Sequence, residues 1–302
     1  MRCLSLLLLL GCCLTTLQAQ KPSLIVPQGH SSLISSVDFS PEGQLILTGG
    51  YEGTVKIWTK EGRLLQTIKQ HKTSISVAQF SPDGQSILTA SNDESTAYLW
   101  SLDGQLLTSF QEVSEGVFVT AAFAPDGQSI LTTNDALEIK IWNLQGQVLQ
   151  TFSGHSSWVT NVDFAPDGRS LLTASQDQTV KIWDTSGNLI RTINAHDDYL
   201  TAAYFSSDGQ KILTSSGDKT VKLWSVEGQL LRNITTFEDA VAGSVFSPDS
   251  QKILSFSDEG TTLLMDLEGR LLKDFSDMDN PLTCASFSSD SQRILTGGIM
   301  GI

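Results

Sequence analysis

Across residues 158–193, apolar and polar positions fall into four short runs separated by turn-forming residues. Residues 158–164 carry apolar side chains at alternate places, and Pro166-Asp167-Gly168 then reverses the chain. A second run spans 170–173, Gln176-Asp177-Gln178 turns again, a third run spans 179–183, and Ser186-Gly187 leads into a fourth at 188–193. A period of two with β-branched and aromatic residues marks strands, while Gly, Asp and Pro punctuate them. Downstream of Ala19 no stretch sustains a helical period.

The same pattern recurs along the chain. Phe39, Phe80, Phe123, Phe164, Phe205, Phe246 and Phe287 follow one another at steps of 41, 43, 41, 41, 41 and 41 residues. Nine residues after each stands a hydroxyl: Thr48, Thr89, Thr132, Thr173, Thr214, Ser255 and Thr296. A third column holds Trp58, Trp100, Trp142, Trp183 and Trp224, with Met265 in sixth place. Independent columns in register define a structural repeat. Four antiparallel strands cannot bury both faces of their own sheet, whereas sheets packed radially around an axis cover one another. The expectation is an all-β fold: a seven-bladed β-propeller with four-stranded antiparallel blades, forming one domain over residues 20–302. The last repeat supplies strands at 282–287 and 294–298 but no third strand ending near a Trp, and residues 21–28 read as a strand without a blade of its own. The last blade is therefore expected to be incomplete. Either the chain is a truncated or frame-shifted product, which could have no function, or the ring closes imperfectly. In both cases an unpaired edge is a point of fraying and aggregation.

The first nineteen residues are of another kind. Met1-Arg2 is a short positive start, residues 4–10 are apolar except for Ser5, and Gly11 and Ala19 offer processing points. This is the layout of a secretory signal over residues 1–19, too short for a membrane-spanning helix. Leu9-Leu10-Gly11-Cys12 also resembles the lipobox of bacterial lipoproteins, although Leu10 is larger than usual there. Free secretion, a lipid on Cys12 and a retained anchor all stay open, and the protein is expected to be exported: periplasmic, cell-envelope or secreted. Cys3, Cys12 and Cys13 lie in this segment, which leaves Cys284 without a disulfide partner. In its strand-like surroundings Cys284 reads as a small buried hydrophobe.

Charged residues make up only 17% of the chain and the net charge is -14, with no basic cluster. A nucleic-acid backbone as partner is excluded, because it needs a concentrated Lys/Arg footprint. There is no phosphate-cradling Gly loop and no nucleophile elbow; no two His stand at metal-ligand spacing. Asp-Gly and Glu-Gly pairs fall where hairpin turns want a positive φ. These patterns predict no catalysis, cofactor or metal.

The columns resemble the WD-repeat propeller family over nearly all of residues 24–302. In that family a blade is often braced by a hydrogen-bonded His, Ser/Thr, Asp and Trp. Carried over position by position, blade four matches with His155, Thr173, Asp177 and Trp183, and blade five with His196, Thr214, Asp218 and Trp224. Blade two has His71, Thr89, Asp93 and Trp100, with one extra residue before the Trp, and blade one has Glu52 in place of Asp. Blades three, six and seven have Ser114, Phe237 and Met278 where His would stand. The resemblance further implies that an N-terminal strand completes the last blade and latches the ring.

In a four-stranded meander the turns alternate between two rims. The His-bearing connections and Asp-bearing turns share one rim, where each innermost strand begins six residues before its Phe. Those positions include Leu33, Val117, Trp158 and Tyr199, and Asp197 and Asp198 add an acidic edge beside Tyr199. The resemblance implies that this rim is the partner-binding face, and large aromatics there match what interface hot spots look like. Equally, Trp158 and Tyr199 could merely pack over their own blades. The leading expectation is a non-catalytic, monomeric scaffold that binds a protein or peptide, with Trp158, Tyr199, Leu33, Val117 and Asp198 on its binding rim. The alternative is a propeller that binds, or acts on, a small ligand or carbohydrate.

Overall fold

Blade four illustrates how the repeat becomes structure. Its inner strand Val159–Phe164 pairs antiparallel with Ser170–Ser175, Val162 opposite Thr173 and Phe164 opposite Leu171. Thr179–Asp184 and Leu189–Asn194 follow outward in chain order. The second strand is buried over five of its six residues, since neighbouring blades cover both its faces; only Ile193 is buried in the outermost strand. The turn between the first two strands is closed by the Gly168 N–H on the Ala165 carbonyl at 2.8 Å. Asp167 Oδ1 accepts the Arg169 N–H at 3.0 Å, and Gly168 sits at φ 67°. The left-handed region is nearly free of cost for glycine alone. Blades six and seven place Ser250 and Ser291 there, at φ 50° and 57°. Both hydroxyls reach the preceding blade: Ser250 Oγ accepts the Ser207 N–H at 2.7 Å, and Ser291 Oγ the Asp249 N–H at 3.2 Å.

The computed structural model describes residues 29–91, 93–111, 118–276 and 281–298. Among them are six four-stranded antiparallel sheets and a seventh sheet of two strands, Leu282–Phe287 and Ile294–Gly298. Six complete blades and the inner half of another thus stand where seven repeats were counted. Residues 1–19 with Cys12, the strand read at 21–28, Val117, Ser114 and Met278 lie outside the described residues.

The core lies between blades. Leu172, Ala174, Val180 and Ile182 of blade four pack against Leu200, Phe205, Ile212 and Trp224 of blade five. At the inner strands a second device joins neighbours: side chains facing the channel bond to the next blade's backbone. Thr160 Oγ1 donates to the Leu200 carbonyl at 2.8 Å, and Ser35 makes the same bond to Ile75. Asn161 Oδ1 accepts the Ala203 N–H at 3.1 Å, and Asp163 Oδ2 accepts the Phe205 N–H at 2.8 Å. Asp38 and Gln79 repeat the last bond to Phe80 and Phe123, at 2.8 and 3.2 Å.

The inner half of the ring closes with the same parts. Thr283 Oγ1 donates to the Ile34 carbonyl, joining blade seven to blade one. Leu295 packs with Ile34, Val37, Ile46 and Trp58. Cys284 Sγ lies 3.6 Å from the Ile34 carbonyl, and burial pushes its thiol up to about 12. Such a thiol holds its proton at neutral pH and is a poor nucleophile.

Candidate partner-binding rim

On the rim that carries the His-bearing connections, the brace of blade four is complete. His155 Nδ1 donates to Asp177 Oδ2 at 2.8 Å, because a carboxylate can only accept. That leaves Nε2 to accept from the Thr173 hydroxyl at 2.6 Å, whose oxygen accepts the Trp183 indole N–H at 2.9 Å. Ser156 N–H adds a bond to Asp177 Oδ2 at 3.0 Å, and Thr179 Oγ1 donates to Oδ1 at 2.6 Å. Blade five repeats the set with His196, Thr214, Asp218 and Trp224 at 2.7 to 2.9 Å. Burial lowers His196 to about 4, against the opposing pull of Asp218. Burial also opposes ionisation of Asp177 and Asp218, but their hydrogen bonds and adjacent His outweigh it and hold both carboxyls well below the usual range. The His196 imidazole is thus a neutral structural link.

Blade two departs from its expected brace. His71 and Trp100 meet Thr89 at 2.8 and 2.9 Å, but the carboxylate on His71 Nδ1 is Glu94, at 2.8 Å. Asp93 is exposed, its N–H on Ser91 Oγ at 3.5 Å. The extra residue lies ahead of the carboxylate, so counting forward from His71 stops one place short, whereas counting back from Trp100 reaches Glu94. Blade one also forms a brace, from His30, Thr48, Trp58 and Glu52, but the longer Glu52 leaves Oε2 buried without a partner. Blade three retains the Trp142 to Thr132 bond at 2.8 Å. Among the described residues no three His, Cys, Asp or Glu converge on a position for a metal.

Above these braces the inner strands begin. Trp158 is 53% exposed, while Tyr199 is 37% exposed. The difference lies in the residue facing each aromatic. Gly217 donates to the Tyr199 carbonyl at 3.0 Å and has no side chain, so the Tyr199 ring folds onto it; a Cβ there would run into the ring. The equivalent partner of Trp158 is Gln176, at 2.9 Å, and the indole stands up into solvent. In blade one the equivalent partner is Tyr51, whose N–H meets the Leu33 carbonyl at 2.9 Å and whose ring is 51% exposed. Sequence reading missed Tyr51. It stands three residues after Thr48, in the column of Gln176 and Gly217, and scanning that column for aromatics would have found it.

Leu33, Tyr51, Ile75, Trp158 and Gln176 line a cavity of about 320 Å³ at the channel entrance. Ser35, Ser76, Val119, Thr120, Thr160 and Thr283 also line it, and among the described residues no charged side chain does. The hydroxyls of Ser35, Thr160 and Thr283 are used on neighbouring carbonyls, whereas Ser76 Oγ is buried without a partner. Tyr204 stands on the inner strand of blade five, Leu200–Phe205. Its phenol is pushed up to about 12, first by burial and then by the charge of Asp163, with smaller effects from Asp38 and Cys284. Those residues belong to blades four, one and seven. Leu33 and Trp158 therefore share one cavity, Tyr199 stands outside its lining, and Asp198 is exposed beside Tyr199 with Oδ1 on the Tyr199 N–H at 2.7 Å.

Comparison with known proteins agrees with this architecture. The family model for the TolB beta propeller domain matches residues 54–288, and that for the WD domain, G-beta repeat, matches residues 12–59. The F-box-like/WD repeat-containing protein TBL1X of Mus musculus is 44% identical over 39 residues, 13% of this chain and 7% of that protein. The Periodic tryptophan protein 2 homolog of Dictyostelium discoideum is 48% identical over 46 residues, 15% of this chain and 5% of its own length. The matches thus span less than a tenth of these relatives, about one repeat.

Proposed function

The chain belongs to the TolB β-propeller family, and from that premise we propose that it is a non-catalytic scaffold that binds a protein or peptide at its His-bearing rim. The observation that carries this reading is the half-exposed indole of Trp158 on the lining of the channel cavity, which the half-exposed Tyr51 also lines. An indole held in water by a rigid frame buries a large area on contact at little cost in side-chain freedom, which is how interface hot spots work. The imidazoles that could have served as acids or bases are engaged in the braces. Leu33 belongs to the same surface, and Asp198 extends it toward blade five. We place the protein in an exported compartment, on the strength of the signal-like segment over residues 1–19.

The test is affinity capture from envelope and secreted fractions, using protein that begins at Gln20 beside its Trp158→Ala/Tyr51→Ala variant. A protein retained by the first and lost by the folded variant is the expected result. Equal retention by both would move the binding face elsewhere, and retention by neither would remove the basis for a scaffold.

A further inference from the structure

Carboxylates are unevenly distributed on the binding rim. In blades one, two and four, Glu52, Glu94 and Asp177 are taken up by His partners. On blades five and six, Asp197, Asp198, Glu238, Asp258 and Glu259 are exposed, and among the described residues none of them is paired with a cationic side chain. Of the lysines near that arc, Lys219 spends its Nζ on the Glu238 carbonyl at 2.7 Å, and Lys222 on the Ala195 carbonyl at 3.0 Å and Asp218 at 3.6 Å. Tyr199 lies where this arc meets the cavity. Asp198 Oδ1 accepts the Tyr199 N–H at 2.7 Å, and Asp258, whose N–H meets the Ala240 carbonyl at 3.1 Å, holds on blade six the place that Gly217 holds opposite Tyr199 on blade five. Burial raises the Tyr199 phenol above the usual range, and the charges of Asp258 and Asp198 add to the effect. The site thus has two unlike halves side by side. One is the cavity lined by Trp158 and Tyr51, uncharged among the described residues; the other is a tyrosine with the exposed carboxylates of Asp198 and Asp258 on the same arc.

We propose that this rim takes a peptide segment in which a basic side chain adjoins a bulky apolar one. The apolar side chain enters the cavity against Trp158, and the ammonium or guanidinium head lies over Tyr199 between Asp198 and Asp258. A cation over an aromatic face is attracted by the ring quadrupole as well as by the carboxylates. The net charge of -14 steers such a partner toward the molecule. This inference rests on the scaffold reading and narrows it to a chemical class.

A random peptide library displayed on phage, selected on the folded protein and counter-selected on Trp158→Ala, tests it. Enriched peptides should place Arg or Lys beside Leu, Ile, Phe or Trp. The synthesised peptides should perturb Trp158 fluorescence, which is readable because the other five tryptophans are buried. Asp198→Asn/Asp258→Asn keeps an acceptor for the Tyr199 N–H and should weaken binding about three- to tenfold at low salt, with the difference shrinking near ~0.5 M salt. Trp158→Ala should cost roughly tenfold or more. Trp158-dependent peptides without a basic residue, or indifferent to the Asn pair, would overturn this inference and leave the scaffold reading standing. No Trp158-dependent peptide at all would count against both, and Trp158-dependent binding of neutral oligosaccharides alone would transfer the site to sugars.

Discussion

At the scale of single residues, the brace in blades two, four and five is a continuous chain of donors and acceptors from carboxylate through His and Thr to Trp. Thr173 Oγ1 serves both His155 and Trp183, so Thr173→Val strands two buried polar groups at once. Each orphan costs about 1–3 kcal/mol, and urea unfolding should register a loss of roughly 2–4 kcal/mol. In blade two, Glu94→Ala should cost about 1–3 kcal/mol, while Asp93→Ala should stay within ~0.5 kcal/mol. Equal losses at the two positions would contradict the bonding described for His71. The titrating groups act in opposite directions with pH. His30, His71 and His196 are lowered below 6.5, so their stabilisation is full above that pH and is lost as pH falls, for His196 through about 4. Asp38 and Asp163, hemmed in by protein at the channel wall, are pushed up by burial to about 7. Their contribution is full while both carboxyls are protonated, and it is lost as pH rises from about 4 through about 7. Asp38→Asn/Asp163→Asn should therefore gain in melting temperature over the parent as pH rises through that window. A gain that does not vary with pH would refute the assignment.

At the scale of elements, each strand's place in the blade decides what its apolar residues do. The second strand reads as apolar and is buried on both faces. The outer strand also begins with an apolar pair, Leu189-Ile190 in blade four and Leu230-Leu231 in blade five, yet these side chains are about half exposed. Periodicity cannot separate the two cases, because the difference lies in whether a neighbouring blade covers the strand. The same holds at the rim: Trp158 and Tyr199 occupy one column, and their exposures diverge because one faces Gln176 and the other Gly217. Trp158→Ala should leave stability within ~0.5 kcal/mol, whereas Gly217→Ala should lift the Tyr199 ring and cost about 1–3 kcal/mol. Thermal melts of the two variants distinguish these outcomes. A collapse of the Trp158 variant would make that residue part of the core.

At the scale of the whole molecule, the ring holds through contacts between blades, and among the described residues its closure joins the inner strands of blades seven and one. Leu295→Ala removes a core side chain from the seam between blades seven and one, and should cost about 2–5 kcal/mol locally. Hydrogen exchange should quicken in Ile34–Phe39 and stay unchanged in Val159–Phe164. Equal loosening of both would mean that the ring opens only as one cooperative unit. The repeat itself was legible without coordinates: period two within strands, Phe, hydroxyl and Trp columns between them, and turn residues at fixed offsets determine a propeller, because each is a local rule repeated. Most brace members followed from the same columns, and the miss at Glu94 arose from one inserted residue that only the meeting with His71 resolves. The tertiary structure alone decided what the columns face. It put Tyr51 and Trp158 on the lining of one cavity, brought Tyr204 within electrostatic reach of carboxylates of two other blades, and gathered exposed acids on the arc that carries Tyr199. Those neighbours come from different repeats, and their proximity is a property of the closed ring, which no single repeat encodes.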